Sequence, residues 1–173
     1  MAASPALMRM RRGTRSLLGM ALLAAALGAA VVVQLRHEET LVPETLTALD
    51  PSGVRAVTVS CQGCTTRRFE KRDGHWRMLE PREVAASDEA VERLVAIAGA
   101  TIRFRHAAGD LDPKKVGLDP PLATLALDGT TLTFGTTDAI HGDRYVEVGG
   151  SVALVPDRFS ARLFAAPESE VAH

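Results

Sequence analysis

The sequence has little from which to build a catalytic or metal site. It holds two cysteines, Cys61 and Cys64, too few for a disulfide-stapled scaffold. Its five histidines (His37, His75, His106, His141 and His173) are scattered, so no zinc-finger set forms. H-E-x-x-H, G-x-S-x-G and P-loop patterns are all missing. There is no surplus of basic charge. Lys and Arg number 20 against 21 Asp and Glu, for a formal net charge of -1, which leaves nucleic-acid binding without an electrostatic footprint. The one tryptophan, Trp76, reads as a core anchor rather than a ligand platform. What remains is ordinary for a folded chain. The 173 residues are 46% apolar and 24% charged, which fits one domain and argues against a disordered or acidic-tail protein.

The even balance hides an asymmetry. No acidic residue precedes Glu38, whereas Arg9, Arg11, Arg12, Arg15 and Arg36 do. Residues 16–35, SLLGMALLAAALGAAVVVQL, carry no charge. Twenty helical residues span about 30 Å, the thickness of a bilayer's hydrocarbon core. Arginines on the N-terminal side predict that this side stays in the cytoplasm and the rest is exported. A cleaved signal peptide competes, because Ala24, Ala26, Gly28 and Ala30 offer small residues for a peptidase. The run continues through Val31, Val32 and Val33, however, which favours an uncleaved anchor. Arg11-Arg12 invites a twin-arginine reading, but the surrounding residues fit that signal poorly.

The expected organisation is a cytoplasmic basic segment (1–15), a transmembrane signal-anchor helix (16–35), a tether (36–45), an extracytoplasmic domain (46–166) and a disordered tail (167–173). From Leu46 onward short apolar alternations are broken by glycine turns. Strands are expected at Gly53 to Ser60 and Thr65 to Lys71. A three-residue Cys61-Gln62-Gly63 loop with left-handed Gly63 keeps Phe69 on the face of Val57 and Val59. Asp73-Gly74 then pairs Phe69 with Met78 and Lys71 with Trp76. Asp128-Gly129 pairs Leu125 with Leu132 and Ala123 with Phe134, and Gly149-Gly150 makes a third hairpin. Ser87 caps a helix from Asp88 to about Gly99, with Val91, Leu94, Val95 and Ala98 as its apolar stripe. Thr101 to His106 alternates with Ile102 and Phe104 inward. Asp112 and Pro113 open a short helical turn. Asp157 caps a final helix containing Phe159 and Leu163. Hairpins, one main helix, then more hairpins predict an α+β fold with antiparallel sheet.

Cys61-Gln62-Gly63-Cys64 is the sharpest chemical feature. A redox pair has its first Cys at a helix N-terminus, but a strand is expected to follow here. Zinc needs about four ligands, and no second pair exists. In an oxidising compartment a local Cys61–Cys64 disulfide is the default, with free thiols or redox function as alternatives. In Gly117-Leu118-Asp119-Pro120-Pro121 the prolines force an extended lead into the next strand, a structural role. Asp138, His141 and Asp143 lie in one loop with Ser151 further on, but no oxyanion hole accompanies them. Arg67, Arg68, Arg72, Arg77, Arg82, Arg103 and Arg105, interspersed with Glu70, Glu80 and Glu83, read as a solvated mixed-charge face.

Gly117-Leu118-Asp119-Pro120-Pro121, the following hairpin, and Asp143-Arg144-Tyr145-Val146 resemble the family called domain of unknown function 4340. Upstream, Leu49-Asp50-Pro51, Arg72-Asp73-Gly74-His75-Trp76 and Glu80-Pro81 fit it as well, so the resemblance covers about residues 45–165. Members sit behind one N-terminal membrane segment, and some occur beside ABC-transport components of the gliding-motility type. The resemblance therefore implies a single-pass protein of the bacterial inner membrane with its C-terminal domain on the periplasmic side. It would be a non-enzymatic accessory or binding domain, associated with an ABC-type transport complex. Expected partners are the lipid bilayer through residues 16–35 and a protein in the membrane, with no nucleic acid and no cofactor. The family offers no catalytic residues to carry over. A periplasmic thiol-redox protein using Cys61 and Cys64, or a hydrolase around His141, remain alternatives.

Overall fold

Alternation of apolar and polar residues over five to eight positions, punctuated by Asp-Gly and Gly-Gly, generates strands joined by tight turns. The computed structural model describes residues 20, 23–32, 44–107 and 109–172. It divides into two units, Met1–Val42 and Pro43–His173. In the second unit the strands are β1 (Ala56–Cys61), β2 (Arg67–Arg72), β3 (His75–Glu80), β4 (Val84–Ala85), β5 (Phe104–His106), β6 (Ala123–Leu127), β7 (Thr130–Thr137), β8 (Asp143–Val148) and β9 (Ser151–Pro156). They form one nine-stranded antiparallel sheet in the order β4-β3-β2-β1-β6-β7-β8-β9-β5. The expected hairpin registers are present: Phe69 opposite Met78 and Lys71 opposite Trp76, Leu125 opposite Leu132 and Ala123 opposite Phe134, Val148 opposite Ser151. The two halves join where β1 pairs with β6, Val57 opposite Leu127 and Val59 opposite Leu125.

One face of the sheet is covered by helix α1 (Asp88–Val95), a following 3-10 turn (Ala96–Gly99) and the short helix α2 (Ser160–Leu163). The Ser87 hydroxyl accepts from Ala90 N–H and caps α1. Asp88, in its first turn, accepts from Trp76 N–H (2.7 Å) and contacts His75, tying the helix start to β3. Val91, Leu94, Val95, Ile97 and Ala98 pack onto Val57, Val59, Phe69, Trp76, Met78, Leu125, Leu127, Leu132 and Phe134, all buried. Trp76→Ala is expected to cost about 3 kcal/mol or more, the scale for a large core side chain. Chemical denaturation measures it, and an unchanged midpoint would refute the packing.

Two expectations are corrected. Phe104 is 55% exposed, not inward. The strand faces are set by Arg103, whose guanidinium meets the buried Asp143 carboxylate, and by Arg105, which donates to Ser151 Oγ (2.9 Å) and to Glu44. Residues 167–172 are not a loose tail. Pro167–Glu170 is a 3-10 turn, Glu170 is buried, and Ala172 N–H donates to Ala85 on the β4 edge. The expected single turn after Asp112 is present: Asp112 O accepts from the N–H groups of Lys115 (3.0 Å) and Val116 (3.4 Å), and its carboxylate accepts from Lys114 N–H (3.1 Å).

The first unit is described only in part. Residues 23–32 are helical, with Leu23, Leu27, Val31 and Val32 exposed. The expected basic segment, both ends of the expected span 16–35 and tether residues 36–43 lie outside the described residues. Among the described residues no helix is long and apolar enough to cross a membrane.

Candidate functional site

Cys61 ends β1 and Cys64 follows a turn in which Gly63 takes φ +74°, a conformation open to glycine. Their Cα atoms lie 5.4 Å apart, and a disulfide joins them. The turn is longer than the expected three-residue loop, since the last paired residues are Val59 and Arg67, but Phe69 still faces inward opposite Val57. β2 rather than a helix follows, so neither cysteine stands at a helix N-terminus, where redox pairs of this spacing sit. Gln62 joins the turn to the end of the Gly-Leu-Asp-Pro-Pro segment: its N–H donates to Leu122 O (2.9 Å) and its Nε2 to Pro121 O (3.0 Å). Changing both cysteines to serine is expected to cost at most about 2 kcal/mol, because so short a loop restricts the unfolded chain little. Equilibrium unfolding checks this, and a much larger loss would mean that the bond holds more than its own turn.

The Gly117-Leu118-Asp119-Pro120-Pro121 segment is pressed onto β7. Val116 O accepts from Thr136 N–H (2.8 Å) and from Thr136 Oγ1 (3.1 Å). That carbonyl lies directly over Gly135, and Gly117 takes φ +70° beside Thr136. The β7–β8 register shifts between Phe134 and Thr137, a bulge that leaves Gly135 O for the Arg144 guanidinium. Arg144 in turn pairs with Asp157 (2.8 Å), whose carboxylate also accepts from Ser160 at the start of α2. Its hydrogen bonds from Ser160 and Arg144 outweigh burial and hold the Asp157 carboxyl below the usual range.

Asp138, His141 and Asp143 bring one ligand atom each within 4.8 Å of one another. Their oxygens are already engaged. Asp138 accepts from the N–H groups of Ile140 (3.1 Å), His141 (3.0 Å) and Asp143 (2.6 Å), which holds its carboxyl below the usual range. The Asp143 carboxylate is met by Arg103. Ser151 sits at the far end of the β8–β9 hairpin, opposite Val148, whereas Asp143 is opposite Pro156. Five residues of strand separate the ends by about 17 Å, so Ser151 and His141 do not form one site.

The mixed-charge face needs one correction. Arg67 is fully buried. Its Nη1 donates to Glu170 Oε1 (2.5 Å) and Arg162 O (3.1 Å), and its Nη2 donates to Leu163 O. The signal was in the register, because any strand that turns Phe69 inward turns Arg67 inward too. Arg72 fits the expected face, pairing with Glu70 (2.9 Å) and Glu83 (3.7 Å) at the surface.

The family model described as "Domain of unknown function (DUF4340)" matches residues 76–169, more than half of the chain. The chain belongs to that family. No curated protein and no solved structure matches it.

Proposed function

We propose that this chain is a membrane-tethered extracytoplasmic accessory domain that binds a protein partner in the same membrane, within an ABC-type transport complex, and carries out no reaction itself. The observation that supports it is the arginine-flanked, charge-free run 16–35 that precedes the unit Pro43–His173 in sequence. Leu23, Leu27, Val31 and Val32, exposed on a helix, suit a lipid environment. The polar groupings with catalytic potential are spent on structure: Asp138 holds its loop, Asp143 holds Arg103, and Cys61 and Cys64 close a turn. In the oxidising compartment this reading assigns, the disulfide is structural.

Topology and partner are tested together. A reporter active only outside the cytoplasm, fused after His173, is expected to be active. Carbonate extraction is expected to leave the full-length protein in the membrane. An inactive reporter at normal expression, or a shortened soluble product, rejects the anchor. Pull-down of the full chain from detergent-solubilised membranes is expected to bring transport components with it. Trapping with Cys64→Ser is expected to yield no mixed disulfide. A specific one would put the thiol-redox reading first.

A further inference from the structure

The outer face of the sheet, opposite the core, carries a cavity that the accessory reading leaves unassigned. Its volume is about 270 Å³, and it is lined by Leu111, Pro113, Val116, Leu118, Val152 and Glu147. Register explains the lining. Val146 is buried in the core, so Glu147 points to the other face, and its cross-strand neighbour there is Val152. The 109–118 segment closes over this pair. It is tied down by Leu118 N–H on Pro113 O (2.8 Å) and by Val116 O on Thr136, so the cavity is preformed.

The walls are aliphatic and the one charge is the half-buried Glu147, whose carboxylate has no hydrogen-bond or ion-pair partner among the described residues. Lys114 and Lys115, on the covering segment, are exposed and do not line the cavity. The volume is below the roughly 300–1,000 Å³ that encloses drug-sized ligands, so the space suits one long side chain. An aliphatic stem ending in an ammonium matches both features, the stem on Val116, Leu118 and Val152 and the head at Glu147. The same face continues to the exposed Phe104, opposite Leu154, which offers surface for the residues flanking such a side chain. We infer that this cavity takes a lysine side chain from the partner protein, with Glu147 as its counter-charge. The inference rests on the accessory reading for the partner's existence but not for the cavity's chemistry.

The test is saturation-transfer NMR on the full chain in lipid nanodiscs, with empty nanodiscs as the blank. The probes are N-acetyl-lysine N-methylamide, its norleucine analogue (the same stem without the ammonium) and n-hexylammonium. The lysine probe is expected to bind about fivefold more tightly than the norleucine probe, the scale of a near-surface ion pair. Glu147→Gln is expected to abolish that difference without changing the melting temperature. Equal binding of lysine and norleucine, or no binding by either, overturns the inference. Binding of n-hexylammonium without the lysine probe points to a free amine and also overturns it, as does cross-linking between two copies that Glu147→Gln removes. In the pull-down, a partner captured by Glu147→Gln at undiminished yield sinks the site and leaves the accessory reading intact. Capture of no partner by the wild type sinks that reading while the probe result stands.

Discussion

Gly135→Ala is expected to destabilise the Pro43–His173 unit by about 4 kcal/mol or more, enough to unfold a marginal domain at ordinary temperature. Gly135 is buried, and a Cβ built there would lie 2.1 Å from Val116 O and 3.2 Å from Leu118 Cγ. The nearest atom is backbone, so no rotamer change relieves the clash. The Val116 to Leu118 segment would have to lift off β7. It would then lose both Thr136 bonds to Val116 O, and if it stayed in place the overpacking would remain. Gly129→Ala is the control. Among the described residues nothing lies within 4 Å of its Cβ position, and its φ is not in the left-handed region, so the change should stay within about 1 kcal/mol. Thermal and denaturant unfolding of both variants decide the matter. Similar midpoints for the two would refute the close approach.

The contrast shows which parts of the fold the sequence carries. Asp73-Gly74, Asp128-Gly129 and Gly149-Gly150 set their hairpins by local chemistry, and the two aspartates take φ +52° and +48° at those turns. Register then follows residue by residue, which made Phe69, Met78, Leu125 and Leu132 legible as core. Gly135 was not legible, because its constraint is a carbonyl from another segment rather than its own dihedrals. Phe104 was misread for a similar reason. Its strand is the sheet's last and pairs only with β9, so alternation alone does not say which face is covered. The Asp138 loop was visible as a cluster of polar residues, but its role depends on backbone N–H groups that a sequence does not place. The family motif was expected as an extended lead into β6, but Asp119 and Pro120 instead form a turn across which Leu118 bridges Pro121, and the β7 bulge beside Gly135 was not readable.

Arg67→Ala is expected to cost about 3–5 kcal/mol, because it leaves Glu170, 103 residues away in sequence, as a buried acid without its partner. The carbonyls of Arg162 and Leu163 lose their donor in the same change. Replacing the pair together, as Arg67→Met with Glu170→Leu, should recover most of that loss, since apolar groups of similar volume need no desolvation. The pair is not fully satisfied even in the native protein, where Arg67 Nε and Glu170 Oε2 are buried without a partner among the described residues. Burial pushes the Glu170 carboxyl up to about 7, with Arg67 pulling the other way. In the unfolded chain a glutamate ionises near about 4.3. Between those values the folded state holds a proton that the unfolded state has lost, so this group's contribution to stability falls as pH rises across the window and is flat above it. Asp88, Asp138 and Asp157 are held below the usual range, so their contribution is lost only as pH falls under about 4. The difference between wild type and Glu170→Gln removes those aspartates from the measurement. It should favour the wild type more at about pH 5 than at about pH 8, because the amide stays neutral throughout. A difference that is constant across that range would mean that Arg67 keeps Glu170 ionised, and that burial does not raise its pKa.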